Sequence, residues 1–209
     1  MIVRRVWLAL GFGTLVAAPS PAQEPRLQAK LDAPTYAVIH ALIDSARKAK
    51  LPVTSIEDRA LEGAGSGATD EAIIAGVRKY TAQLGVAYTT LGPDAKGEEL
   101  RAAVSAIDAG IPPRDLMRVR RAAAKGRTIT TACTVLADIA GRGVPPAAAS
   151  DVVVKLLDAK IKDPDLMTFG RWVRQDIEKG ADPTTAAKAR AQGLVTAAGG
   201  RITAPKSSP

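Results

Sequence analysis

Apolar residues recur at intervals of three and four along the chain and nowhere sustain the alternation of a half-buried strand, so the expected fold is all-α. From Pro34, the positions Tyr36, Ile39, Leu42, Ile43 and Ala46 form one helical stripe. Thr54-Ser55-Ile56-Glu57 has the spacing of a capping box and predicts a short helix ending in the glycine-rich Gly63–Gly67. Thr69 is the expected N-cap of the longest helix, with Asp70 and Glu71 where the helix dipole favours negative charge. Its stripe is Ile73, Val77, Tyr80, Thr81, Leu84, Tyr88 and Leu91. After the turn at 92–97, the pattern predicts helices near 98–109, 113–125, 129–141, 145–160, 164–179 and 183–197.

Three of the junctions share one grammar: Gly110-Ile111-Pro112-Pro113, Gly143-Val144-Pro145-Pro146 and Gly180-Ala181-Asp182-Pro183. Glycine takes the left-handed conformation that closes a helix, and proline at the start of the next helix has no amide to leave unpaired. The corners recur at about the length of a two-helix unit, and Gly67-Ala68-Thr69-Asp70 reads as a degenerate earlier copy. This points to a compact bundle or a short solenoid of helical hairpins joined by Gly-x-x-Pro corners. The expected organisation is a single domain over 34–198, with 92–97 as the one internal boundary. A flexible segment over 23–33, in which Leu27 and Leu31 can dock as a partial turn, and a disordered tail over 199–209 flank it.

The chain begins with the pattern of a cleavable export signal over 1–22: Arg4 and Arg5, the apolar run Val6–Ala18, and the small-x-small site Ser20-Pro21-Ala22. The run is interrupted by Gly11 and Gly13 and falls short of the roughly 20 residues that span a bilayer. Cleavage would start the mature chain at Gln23, in the periplasm or outside a bacterial cell. The arginine pair fits the general and the twin-arginine export routes alike.

Export changes the meaning of the charge. The full chain carries a formal +8 and an isoelectric point near 9.8, which in a cytoplasm would raise nucleic acid as a partner; outside it, the partners left are anionic lipid head groups, acidic glycans and proteins. No nucleic acid is expected. Past the signal the aromatic residues are only Tyr36, Tyr80, Tyr88, Phe169 and Trp172, which counts against sugar-stacking clefts and base-stacking platforms. Cys133 is the single cysteine, so no intramolecular disulfide can form. On the stripe Ile129, Ala132, Cys133, Leu136 and Ala140 it reads as a small buried hydrophobe with a raised pKa.

No catalytic constellation, metal site or cofactor motif emerges. His40 is the one histidine, at the edge of its stripe and one turn before Asp44; a hydrolase would have to use it with carboxylates from Glu57 or Asp58. The acidic region Glu57, Asp58, Glu62, Asp70 and Glu71 has no calcium-loop spacing, and Gly63–Gly67 lacks the lysine of a phosphate loop. The candidate binding residues are Arg114, Arg118, Arg121 and Lys125, which on a helix over 113–125 fall within about 60° of one face opposite Leu116, Val119 and Ala123. Trp172 is the other candidate, lying off the stripe Leu166, Phe169, Gly170, Val173 and Ile177, where it either packs on a neighbouring element or anchors a partner. The leading expectation is an exported, non-catalytic scaffold or adaptor for an envelope or extracellular protein. A binding module for an anionic envelope component, using the basic ridge, comes second, and an enzyme centred on His40 third.

Overall fold

In the computed structural model, which describes residues 24–203, the spacing of three and four resolves into ten helices, with no strand among the described residues. They are α1 (Glu24–Lys30), α2 (Ala33–Lys48), α3 (Val53–Gly65), α4 (Asp70–Leu91), α5 (Gly97–Asp108), α6 (Pro113–Ala122), α7 (Thr130–Gly141), α8 (Pro146–Asp158), α9 (Asp163–Glu178) and α10 (Pro183–Thr203). The expected signal over 1–22 and the tail beyond Thr203 lie outside the described residues, whereas 199–203, expected as tail, continue α10. Caps explain several starts. Asp32 accepts the Thr35 amide at 2.8 Å ahead of α2, Thr69 accepts the Ala72 amide at 3.3 Å ahead of α4, and Asp182 accepts the Thr185 amide at 2.8 Å ahead of α10.

Three local expectations are corrected. Of the segment expected over 23–33, the described residues 24–33 are not a loose leader: they carry α1, held because Leu27 and Leu31 are buried in the core. The capping box at Thr54 does not form, because α3 starts two residues earlier than a Thr54 cap requires, with Pro52 as its N-cap and no side-chain cap. Thr54 therefore lies inside the first turn, Ser55 Oγ donates to the Pro52 carbonyl at 2.8 Å, and Glu57 is buried. The helix expected over 113–125 stops at Ala122, where Ala123 turns to an extended backbone (φ −68°, ψ 139°).

The corners follow a single hydrogen-bond scheme. Gly110, Gly143 and Gly180 have φ near +90° (91°, 93° and 92°); the amide of the residue after each reaches back to the helix, Ile111 to Ala106, Val144 to Ile139 and Ala181 to Asp176, at 2.9 to 3.1 Å. Gly67 closes α3 in the same way, through Ala68 to Gly63. Two further corners have lysine in the left-handed position, Lys50 (φ 59°) and Lys160 (φ 60°), with Leu51 bonded to Ala46 and Ile161 to Leu156.

The helices stack in two rows. In one, α2, α4, α6, α8 and α10 each pack on the next; in the other, α1 packs on α3, and α5 on α7 on α9. The stack keeps register: a β-carbon placed on Gly110 would lie 3.5 Å from Pro146 Cγ, and one on Gly143 would lie 3.6 Å from Pro183 Cγ. Each corner thus rests on the proline of the next. Side chains repeat the step. Arg118 Nη2 meets Asp151 Oδ1 at 2.7 Å, 33 residues on, and Lys155 Nζ meets Gln192 Oε1 at 2.6 Å, 37 residues on, the same separations as the glycine corners. Of the two arrangements expected, the packing order is that of stacked hairpins.

One continuous core runs from Leu27 to Leu194, across the 92–97 turn. Its side chains are mostly aliphatic, with Phe169 the largest fully buried, and each such burial is worth about 1.5–3 kcal/mol. A buried polar junction ties the two rows. Glu99, only 2% exposed, accepts the Ile129 amide at 2.7 Å and Arg120 Nη1 at 3.0 Å; Arg120 also donates to the Arg127 carbonyl. Arg127 in turn donates to the Ile161 carbonyl at 2.9 Å and pairs with Asp163.

Candidate functional site

Helices α3 and α5 both pack on α4, and between them runs a groove of about 500 Å³. Each helix lines it with positions i, i+3, i+4 and i+7, one strip of helical surface. From α3 come Ser55, Asp58, Arg59 and Glu62; from α4, Gly76, Lys79, Tyr80 and Gln83; from α5, Arg101, Val104, Ser105 and Asp108. These strips lie beside the apolar stripes that fix the helices: Ile56 and Ala60, Ile73 and Val77, Leu100 and Ala103 are buried. The core therefore sets the direction in which the polar strips face.

Most of the groove's charges are partnered. Arg59 Nη1 lies 2.8 Å from Glu62 Oε2. Across the α4–α5 side, Lys79 Nζ lies 2.5 Å from Asp108 Oδ1, and Gln83 Nε2 donates to the same oxygen at 3.2 Å. The bonds from Lys79 and then Gln83 hold the Asp108 carboxyl below the usual carboxylate range. Arg101 differs: among the described residues its guanidinium takes part in no hydrogen bond or ion pair, while its backbone carbonyl accepts from Ser105. The floor is small, and a β-carbon on Gly76 would meet no atom within 4 Å.

The residues singled out by sequence fall elsewhere. Arg114, Arg118 and Arg121 share an exposed face of α6, but Lys125 lies beyond the end of that helix, so the four-cation ridge is a three-cation one. Its central member is engaged. Arg118 bonds Asp115 at 3.2 Å and Asp151 at 2.7 Å, and these acids push its already high pKa further up. Trp172, 36% exposed, lies under the Arg190 guanidinium, 5.6 Å from ring centroid to Cζ. Asp176 holds that guanidinium through two bonds of 2.6 and 2.7 Å, so Trp172 packs on α10.

His40 Nδ1 is 3.3 Å from Asp44 Oδ2, the pairing expected from the sequence, and Asp44 also holds Arg47. Asp58 lines the groove; His40 and Glu57 do not. Burial, helped by the charge of Glu99, pushes the Cys133 thiol up to about 12. Among the described residues no three histidine, cysteine or acidic side chains are grouped to hold a metal ion, and no helix is long and apolar enough to cross a membrane. No protein-family model, curated protein or solved structure matches the chain.

Arg101 and the groove are absent from the residues chosen by sequence. Their signal was a second, polar periodicity on three successive helices. Every surface helix has such a face, and only the placement of α3 and α5 on one side of α4 makes these three a site.

Proposed function

We propose that the chain is an exported, non-catalytic scaffold of the bacterial envelope that holds a partner protein, with the α3–α4–α5 groove as its main contact. The observation that carries this reading is the groove itself, an open channel of mixed charge set into a stack of hairpins. Scaffolds built of stacked helical units offer extended surfaces of this kind. The groove's mixture of acids and bases favours a protein surface over a uniformly anionic one. The signal pattern at 1–22 supports the proposed compartment. The basic ridge of α6 is the weaker contact, because Arg118 is already held by two acids.

The test joins location to binding. Protein taken from the native host's envelope fraction should start at Gln23 by mass spectrometry. The mature chain, used as bait in envelope extract, should retain one partner in near-equal amount through a rise in salt, which screens exposed charges beyond a Debye length of about 8 Å. Intact Met1 on cytoplasmic protein would remove the proposed compartment. Retention only of anionic lipid or glycan, lost at high salt, would favour the α6 ridge instead.

A further inference from the structure

We infer that the α3–α4–α5 groove is a peptide site whose specificity residue is Arg101, and that its ligand is an extended partner segment carrying one aspartate or glutamate. The inference rests on the scaffold reading and adds the chemistry that the partner must present. Three cations line the groove, and the structure treats them unequally. Arg59 and Lys79 are neutralised in place by Glu62 and Asp108 at 2.8 and 2.5 Å. Arg101 lines the same channel, and among the described residues its five donors meet no acceptor. A guanidinium presents a planar fork that matches a carboxylate through two parallel bonds, and such a bond is stronger than a neutral one.

The rest of the channel restricts what can carry that carboxylate. A polyanion or an anionic bilayer laid along the groove would find Arg59 and Lys79 already closed by Glu62 and Asp108, which leaves Arg101 as the one lining cation without a partner among the described residues, too few for a run of negative charges. A peptide with a single acidic side chain meets one unpaired cation and otherwise offers neutral amides. The volume of about 500 Å³ falls in the range of roughly 300–1,000 Å³ typical of ligand clefts. Space is available along the floor, where Gly76 leaves open room, and Tyr80, half-buried against the core, lines the same channel. The larger α8–α10 groove, about 620 Å³, offers less: alanines and valine line much of it, and Lys155 already bridges it to Gln192.

The test uses a phage-displayed random octapeptide library panned on the full mature chain, followed by fluorescence anisotropy of the enriched peptide. Enriched sequences should share one Asp or Glu. Changing that residue to its amide should weaken binding at least tenfold; Arg101→Gln should do the same, and the two changes together should cost little more than either alone, the mark of a direct pair. Gly76→Leu, which fills the channel from a position where a β-carbon clashes with nothing, should abolish binding while the helical circular dichroism is retained. Arg121→Gln, outside the groove, should leave binding unchanged. Enriched peptides without an acid, additive losses, binding that survives Gly76→Leu, or no enrichment would each overturn the inference. Failure of envelope capture alongside an Arg101-dependent peptide would instead overturn the scaffold reading and leave the site standing.

Discussion

Between α5 and α10 each hairpin repeats the one before it closely enough that Arg118 bonds Asp151 and Lys155 bonds Gln192, its own counterpart in the next unit. Between α1 and α4 the step changes. The corner glycines Gly67 and Gly110 lie 43 residues apart, against 33 and 37 in the regular half, and the 22-residue α4 carries both α3 and α5 on its surface. The regular half uses its long polar side chains to join one unit to the next. At the irregular junction that joining is incomplete: Lys79 and Asp108 meet across one edge, but the channel stays open, and Arg101, which lines it, has no partner among the described residues. A stack of this kind gains stability where its register holds and leaves open polar surface where its register breaks.

The largest expected effect tests the regular side. Glu99→Ala leaves the Ile129 amide and Arg120 without their buried acceptor and should lower the unfolding free energy by about 3 kcal/mol, read from urea denaturation. Asp108→Asn, at the groove edge, breaks a pair whose side chains are more than half exposed, and should change it by less than about 1 kcal/mol. Equal losses would erase the distinction between the two regions.

The corners offer a swap of intermediate size. Gly143→Lys forces a β-carbon into the left-handed region and should cost about 1 kcal/mol, while Lys160→Gly relieves the same conformation and should gain up to about 1 kcal/mol. Each corresponds to a shift of about 2–4 °C in thermal midpoint for a chain of this size. Shifts of the same sign would show that the two corners are not equivalent.

Much of this fold was legible in the sequence for stated reasons. The stripes predicted helices because burial follows the period of 3.6, and the Gly-x-x-Pro corners marked their ends because few residues other than glycine accept positive φ without cost. The Lys50 and Lys160 corners were not legible, since lysine carries no such signature; only the apolar residue after each, and Pro52 or Pro164 beyond, hinted at them. The overextended helix at Ala122 failed differently. Ala122, Ala123 and Ala124 all favour helix, and the end is imposed by tertiary bonds that draw Arg127 to Arg120, Ile161 and Asp163. Glu57 looked like a cap because spacing cannot tell an N3 glutamate from a buried one. Of the site, Asp58 and Glu62 were noticed for their charge, while Arg101 was invisible until three helices were placed together.

A smaller effect concerns Cys133. Its thiol pKa is raised by burial, so its contribution to stability is full below the ordinary thiol value of about 8.5 and is lost as pH rises toward about 12, where the folded-state thiol ionises. The urea midpoint of the native chain should therefore fall more steeply above pH 9 than that of Cys133→Ala. The thiol should resist disulfide reagents until the chain unfolds. Rapid labelling of the folded protein at pH 8 would contradict the burial.

The smallest effect lies at acid pH. Asp108 is held below its usual range, so its share of stability is present above about pH 4 and is lost as pH falls through its lower folded value. Asp108→Asn should flatten that part of the profile by a few tenths of a kcal/mol, and no more, since both partners are exposed. An effect as large as that of Glu99→Ala would mean that the groove edge is a structural joint instead of a margin.

The comparison is tested most directly by placing a photoreactive amino acid at Gln83 in the α3–α4–α5 groove and, separately, at Gln192 in the α8–α10 groove, two glutamines that each complete a polar pair between helices. Irradiation in the native host should give a discrete partner adduct from position 83, lost on adding Gly76→Leu, and none from position 192. An adduct from position 192 with none from 83 would place the binding surface in the regular half and contradict the account.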